Sequence, residues 1–256
     1  MLRDKIPPKA SHQAKNAQIQ GVIMRIDVTW AKMPKGGFGE SGDTIELVER
    51  PLGGISVILA DGQGSGASAK RISRLVSMKA VSLIADGSRD GAVARAVQDM
   101  LYTAREGRVT ATLVVLSCDM HTNSIVIARN TPVPVLIRQE DVVFRLEGGS
   151  EVIGTYRRTR PTMTELALIP ETVILTFSDG VVNAGKRFGK SLPWDMIEEE
   201  LKTLDLAELQ AWVDDLMART LALDKDRPGD DVSIVALGIR SDVQNAIRTL
   251  SASIPY

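Results

Sequence analysis

Four short acidic turns carry the side chains of this sequence best suited to chemistry: Ser41-Gly42-Asp43, Asp61-Gly62-Gln63-Gly64, Ser178-Asp179-Gly180 and Gly229-Asp230-Asp231. Aspartates offer hard oxygen donors. A few of them gathered together suit magnesium or manganese, which keep several waters and accept backbone carbonyls as further ligands. Carboxylates so gathered repel one another unless a cation neutralises them. With two ions about 3.5–4 Å apart, a bridging hydroxide would attack phosphorus in line while the metals offset charge on the phosphoryl oxygens. Gly62 and Gly180 follow their aspartates because a residue without Cβ permits the turn and a close approach of backbone to metal or phosphate. Taken singly, Asp-Gly after a strand is a commonplace turn. Asp86-Gly87, between two helical stretches, reads as a connector only. The set, its order and its placement beside apolar runs are what point to a site.

The elements that must position these carboxylates follow from periodicity. Ile55 to Ala60 is a short β-branched run that stops at Asp61 and reads as a buried strand. Ile72, Leu75, Val76, Ala80, Leu83 and Ile84, then Val93, Val97, Met100, Leu101 and Ala104, recur at helical spacing and predict two amphipathic helices. From Ala111 the pattern turns to β-rich runs between short polar turns: 111–118, 124–129, 133–138, 142–146, 165–169 and 173–178. Helical stretches at 194–204 and 207–223 precede a last strand at 232–239. Strands that neighbour in sequence, with helices in pairs, predict an α+β sandwich rather than a βαβ repeat. Asp61 and Asp179 fall at the carboxyl ends of strands and Asp230 just before one, so one rim of a packed sheet would collect them.

Composition bounds the alternatives. In 256 residues, 44% hydrophobic and 25% charged side chains describe an ordinary globular chain. The net charge of −1, from 31 basic and 32 acidic residues, gives no case for nucleic acid or an anionic membrane as partner. Cys118 is the only cysteine, so no disulfide framework or cysteine-rich zinc site can form, and its apolar run makes it a packing residue rather than a nucleophile. His12 and His121 are the only histidines, one in a polar basic segment and one in a polar turn, which leaves Ser65 without an oriented base. Lys70, Arg71 and Arg74 read as the solvated face of a helix. Residues 1–18 lack an apolar signal core and read as a flexible tail, and no apolar stretch nears the ~20 residues that cross a bilayer, so a cytoplasmic location is expected.

The acidic motifs resemble those of the metal-dependent protein phosphatases of the PPM class, and specifically the bacterial SpoIIE-like serine phosphatase branch. Ser41-Gly-Asp43 is similar to the branch's first metal motif, Leu59-Ala-Asp-Gly-Gln-Gly-Ser-Gly66 to its Asp-Gly-x-Gly-x-Gly motif, Phe177-Ser-Asp-Gly180 to its third, and Gly229-Asp-Asp-Val-Ser-Ile-Val235 to its last. The resemblance implies a four-layer αββα sandwich over 19–240, with 241–256 as a C-terminal extension. It implies a catalytic set of Asp61, Asp179 and Asp230 holding two manganese or magnesium ions. In it Asp61 bridges both metals, Gly62 lends a carbonyl, and Asp179 and Asp230 complete one shell. Asp43 serves the metals directly or through water. It implies a phosphoserine or phosphothreonine protein as substrate, such as an anti-sigma-factor antagonist, and a switching role for the helix pair after Asp61. The phosphate-binding arginine that many eukaryotic relatives carry ahead of the first motif has no counterpart here, where Lys32 and Lys35 are the available cations. Two other readings are a non-catalytic regulatory module of the same fold and a dinucleotide-binding domain. The latter is suggested by Gly62-x-Gly64-x-x-Ala67, with Asp86 about 20 residues on, but no βαβ alternation follows it.

Overall fold

The computed structural model describes residues 23–37, 39–148, 150–242 and 247–253. The expected tail, with His12, lies outside them, as does part of the expected C-terminal extension. Among the described residues, ten strands and five α-helices run in the order β1 (Ile23–Met33), β2 (Asp43–Glu49), β3 (Gly54–Gly62), α1 (Gly66–Ala85), α2 (Asp90–Arg105), β4 (Ala111–Asp119), β5 (Ser124–Asn130), β6 (Val135–Gln139), β7 (Val142–Leu146), β8 (Thr162–Ala167), β9 (Thr172–Phe177), α3 (Asp179–Asn183), α4 (Trp194–Thr203), α5 (Leu209–Leu223) and β10 (Val232–Asp242).

The strands form two five-stranded sheets, ordered β1-β10-β9-β6-β7 and β2-β3-β4-β5-β8. Every described strand pair is antiparallel, so no βαβ unit stands behind the glycine run at 62–67. The central strands are apolar on both faces because each sheet is covered on both sides. In β3, Val57 and Leu59 join the core between the sheets while Ile58 and Ala60 face α1 and α2. In β10, Val235, Leu237 and Ile239 point to the same inner core while Ile234 and Ala236 meet α4 and α5. Three apolar layers thus separate four layers of structure, the expected αββα sandwich. Cys118 lies in the inner layer, its thiol pushed up to about 12 by burial. It is core packing, as its apolar run predicts.

Several elements depart from the sequence reading. β1, β2 and α3 are additional, and Asp43, expected in a turn, opens β2. The strand expected from Val133 begins at Val135, because Pro134 has no N–H for a ladder and the Val133 amide is taken by Thr131 Oγ1. The run expected at 165–169 is shifted to Thr162–Ala167 by its pairing with β5. Asp86-Gly87 is the connector it was read as: Gly87 has φ 83°, and its amide and that of Ser88 close α1.

Candidate metal centre

Two sheets deliver the acidic residues to one rim, each by a different local device. In the first sheet, β2 and β3 pair so that Asp43 stands directly opposite Asp61. Beyond Asp61 the chain turns into α1, where Gly62 packs so closely that a Cβ would lie 2.2 Å from the Ala69 carbonyl oxygen. No side chain larger than hydrogen fits there. In the second sheet, β9 ends at Phe177 and Asp179 opens α3, while Asp230 and Asp231 lead into β10. Ser178 ties these two entries together. Its amide donates to the Ser233 carbonyl (3.0 Å), its Oγ donates to the Asp231 carbonyl (3.2 Å), and the Ser233 amide donates to Ser178 Oγ (2.9 Å). A Cβ at Gly180 would lie 2.1 Å from the Asp231 carbonyl oxygen, so this glycine too is fixed by close approach.

Asp231 joins the sheets. Buried, it accepts hydrogen bonds from the amides of Lys35 and Gly42, both at 2.9 Å, and so holds the loop that presents Asp43. Ser233 Oγ donates to Asp43 Oδ2 at 2.6 Å. The other carboxylate oxygen, Asp43 Oδ1, is buried without a hydrogen-bond partner. Lys70 of α1 donates to the Asp43 carbonyl (2.6 Å) and to Thr44 Oγ1 (3.0 Å), and Lys32 reaches the same carbonyl at 3.5 Å.

The electrostatics record crowding. Burial pushes Asp61 up to about 9, and the charges of Asp43, Asp179, Asp230 and Asp231 add to the effect. Burial raises Asp43 to about 6; bonds from Ser233 and Ser178 oppose the rise, and Asp231 and Asp179 contribute to it. Asp179 is raised by burial and by Asp230, against the Gly180 amide and Lys186. Lys70 is lowered to about 8 by burial and then by Lys32. Among the described residues, no three His, Cys, Asp or Glu side chains already close around a point that would hold an ion. The donor set nevertheless fits a hard divalent cation, since it is all oxygen, mutually repelling, and includes a buried carboxylate oxygen without a hydrogen-bond partner.

Asp43, Asp61, Asp179 and Asp230 therefore lie close enough for their charges to act on one another, and Gly62 adjoins Asp61. Of the two lysines read as phosphate ligands, Lys32 bonds a backbone carbonyl, and Lys35 is tied to the rim through its amide. Lys70 is a correction: it is half-buried on the site side of α1, not part of a solvated face, whereas Arg71 and Arg74 are exposed. Its signal was its place one turn before Ser73 and two before Ser77, the polar margin of the buried stripe. The bonds of Asp231, Ser178 and Ser233 left no sequence signal, because they join segments far apart along the chain.

Residues 51–240 match the family described as Stage II sporulation protein E (SpoIIE). The chain belongs to the SpoIIE family. That match covers roughly three quarters of the sequence and begins after Asp43. No curated protein matches the chain. Among solved structures, it is similar to the PP2C phosphatase domain, with a fragment of the regulatory domain, of the cell fate determinant SpoIIE from Bacillus subtilis, at 19% identity and a TM-score of 0.72, over 87% of this chain and 65% of that one. It thus spans just under two thirds of that relative's length. It is also similar to RsbX in complex with magnesium (13% identity, TM-score 0.64, 85% of this chain and 99% of that one). A third is the catalytic domain of the serine/threonine protein phosphatase PstP with two manganese ions (15%, 0.63, 85% and 100%). The SpoIIE-family chain described here has the PP2C phosphatase fold, and none of its described helices is long and apolar enough to cross a membrane.

Proposed function

We propose that this chain is a metal-dependent serine/threonine protein phosphatase, acting in the cytoplasm on a phosphoserine of a bacterial regulatory protein such as an anti-sigma-factor antagonist. The observation that carries the reading is the rim itself, where two sheets bring five carboxylates together with one buried oxygen left unpaired. Asp61, Asp179 and Asp230, with the Gly62 carbonyl, would hold two manganese or magnesium ions, and Asp43 would support them. Bound there, the ions supply Lewis-acid activation of water and neutralisation of charge on the phosphoryl oxygens as the P–O ester bond breaks and the serine leaves with a proton. The chain's own part is positional. Asp231 and Ser233 fix the loop and carboxylate of Asp43, Ser178 fixes the entry to α3, and Gly62 and Gly180 let backbone close on the site. Lys32 and Lys35 would supply cations to a phosphate.

Hydrolysis of an aryl phosphate and of phosphoserine proteins is expected with manganese or magnesium, and full activity in excess chelator would refute the reading. A second reading, a non-catalytic regulatory module, is favoured by one observation: no trio of ligands is already closed among the described residues. Metal-dependent turnover decides between them.

A further inference from the structure

A cavity of about 360 Å³ opens beside the rim, between the end of α3 and the loop that enters β10. Asn183, Lys186, Arg187, Asp224 and Asp230 are among its lining residues. Because Asp230 belongs to both, a group bound at the carboxylates and a group in this cavity would be neighbours. The two segments that contribute Lys186, Arg187 and Asp224 to its lining, Gly185-Lys-Arg-Phe-Gly-Lys190 and Asp224-Lys-Asp-Arg227, carry five basic residues against two acidic ones, in a chain whose net charge is −1.

The walls are built rather than loosely charged. Asp224, buried, accepts from the amides of Gly185 and Gly229 (both 3.2 Å) and from Arg187 Nε (3.0 Å), so its charge is already matched. Arg187 also donates through Nη2 to the carbonyls of Asp224 (3.0 Å) and Arg227, which pins the guanidinium and leaves Nη1 for a ligand. Lys225 and Arg187 both lie over the exposed ring of Phe188, at 4.5 and 5.0 Å from its centre. Lys186 is exposed, and Nζ donates to Asn183 Oδ1 at 2.6 Å; Asn183 Nδ2 in turn reaches Asp179 Oδ2 at 3.4 Å. Lys186, a cation of the cavity lining, is therefore linked to a rim carboxylate through Asn183.

We propose that this cavity is a docking subsite for an acidic side chain next to the phosphorylated residue of the protein substrate, with Lys186 its anchoring cation and Arg187 its fixed wall. The inference rests on the phosphatase reading above. An acidic group fits there because Asp224 is already matched by Arg187 and two backbone amides, which leaves these segments a surplus of positive charge. Exposed cations of this kind add selectivity and association rate that fall with salt.

Fluorescence anisotropy tests the subsite, using labelled peptides with a non-hydrolysable phosphonate in place of phosphoserine, flanked by aspartates in one and by alanines in the other. With the full chain in manganese at low salt, the acidic peptide should bind about tenfold more tightly than the neutral one. Lys186→Glu and Lys186→Gln should erase the preference, and Arg105→Glu, an equal charge change at the far end of α2, should keep it. Equal affinity for the two peptides, binding of neither, or a preference indifferent to Lys186 would overturn the subsite. Aryl phosphate hydrolysis reads the phosphatase proposal separately: turnover without acidic preference removes the subsite alone, and a Lys186-dependent preference without turnover removes the enzyme alone.

Discussion

Two buried polar clusters sit at opposite ends of the β3–β4 pair, and they have been solved in opposite ways. At the far end, Arg50 donates to Ser56 Oγ (3.0 Å), Ser117 Oγ (3.1 Å), Asp90 Oδ1 (3.2 Å) and Asp119 Oδ2 (3.3 Å). Both hydroxyls bond onward, to each other and from Ser117 to Asp90. Burial would raise Asp119, yet the amides of Thr122 and His121, together with Arg50, hold its carboxyl below the usual range. Donors and acceptors there balance, and the cluster ties the start of α2 to the sheet. At the rim the two sheets together gather carboxylates without enough donors, and Asp61 is pushed up to about 9. A balanced network specifies structure; an unbalanced one of a single sign waits for a cation.

The sharpest way to break this comparison is Asp61→Asn, which removes a rim charge at nearly constant shape. Phosphatase activity should fall to background, and the rise of unfolding temperature with manganese expected of wild type should be absent. In chelator the variant should be as stable as wild type or more so. The sign follows from the raised carboxyl. An acid whose folded value lies above its unfolded value stabilises below the unfolded value and loses that contribution as pH rises through the folded one. Metal-free wild type should therefore lose ground to the variant between about pH 4 and pH 9, the window set by Asp61, the one group in which they differ. A variant that is weaker in chelator and still responds to manganese would mark Asp61 as a turn residue only.

Arg50→Met tests the other pole. It strands Asp90 and Asp119, whose side chains are 6% and 18% exposed, and should cost about 3–5 kcal/mol in urea unfolding. The increment that manganese adds should be unchanged, because the clusters lie at opposite ends of the strands. If the increment collapses as well, the two ends are coupled and the contrast fails.

Smaller effects sharpen the account of the rim. Gly180→Ala places a methyl group against the Asp231 carbonyl and should destabilise by about 1–3 kcal/mol while lowering metal-stimulated activity, measured by chemical unfolding and titration with manganese. Ser233→Ala removes the bond to Asp43 Oδ2 and should cost about 1 kcal/mol, with a measurable weakening of metal response. Full retention of both would show that Asp43 needs no fixed orientation.

How much of this was legible in the sequence depended on range. Asp61, Asp179 and Asp230 could be read because each sits within a residue or two of a strand end and beside glycine, a signal contained in five or six positions. The central strands were legible for the same reason, as short runs apolar on both faces. β1 and β2 were not, since each is an edge strand whose polar side chains, such as Arg25, Asp27 and Glu46, interrupt the apolar pattern. The bonds of Asp231 to Lys35 and Gly42 close across 196 and 189 residues, and no local pattern announces them. Lys70 was misread because helical spacing tells which face is apolar, not which polar margin lies against a neighbour.

The register of β2 on β3 also sets a rule for changes in length. Asp43 meets Asp61 only because the six residues from Thr44 to Glu49 march in step with Ile55 to Ala60, and side chains alternate faces along both. The turn between them, where Gly53 and Gly54 adopt φ of 93° and 101°, lies at the opposite end from the carboxylates. Residues added within that turn leave the pairing untouched, whereas a single residue added or lost within β2 reverses parity and sends Asp43 to the wrong face. Related chains should therefore vary in length at 50–54 and hold the count between Asp43 and Glu49 constant.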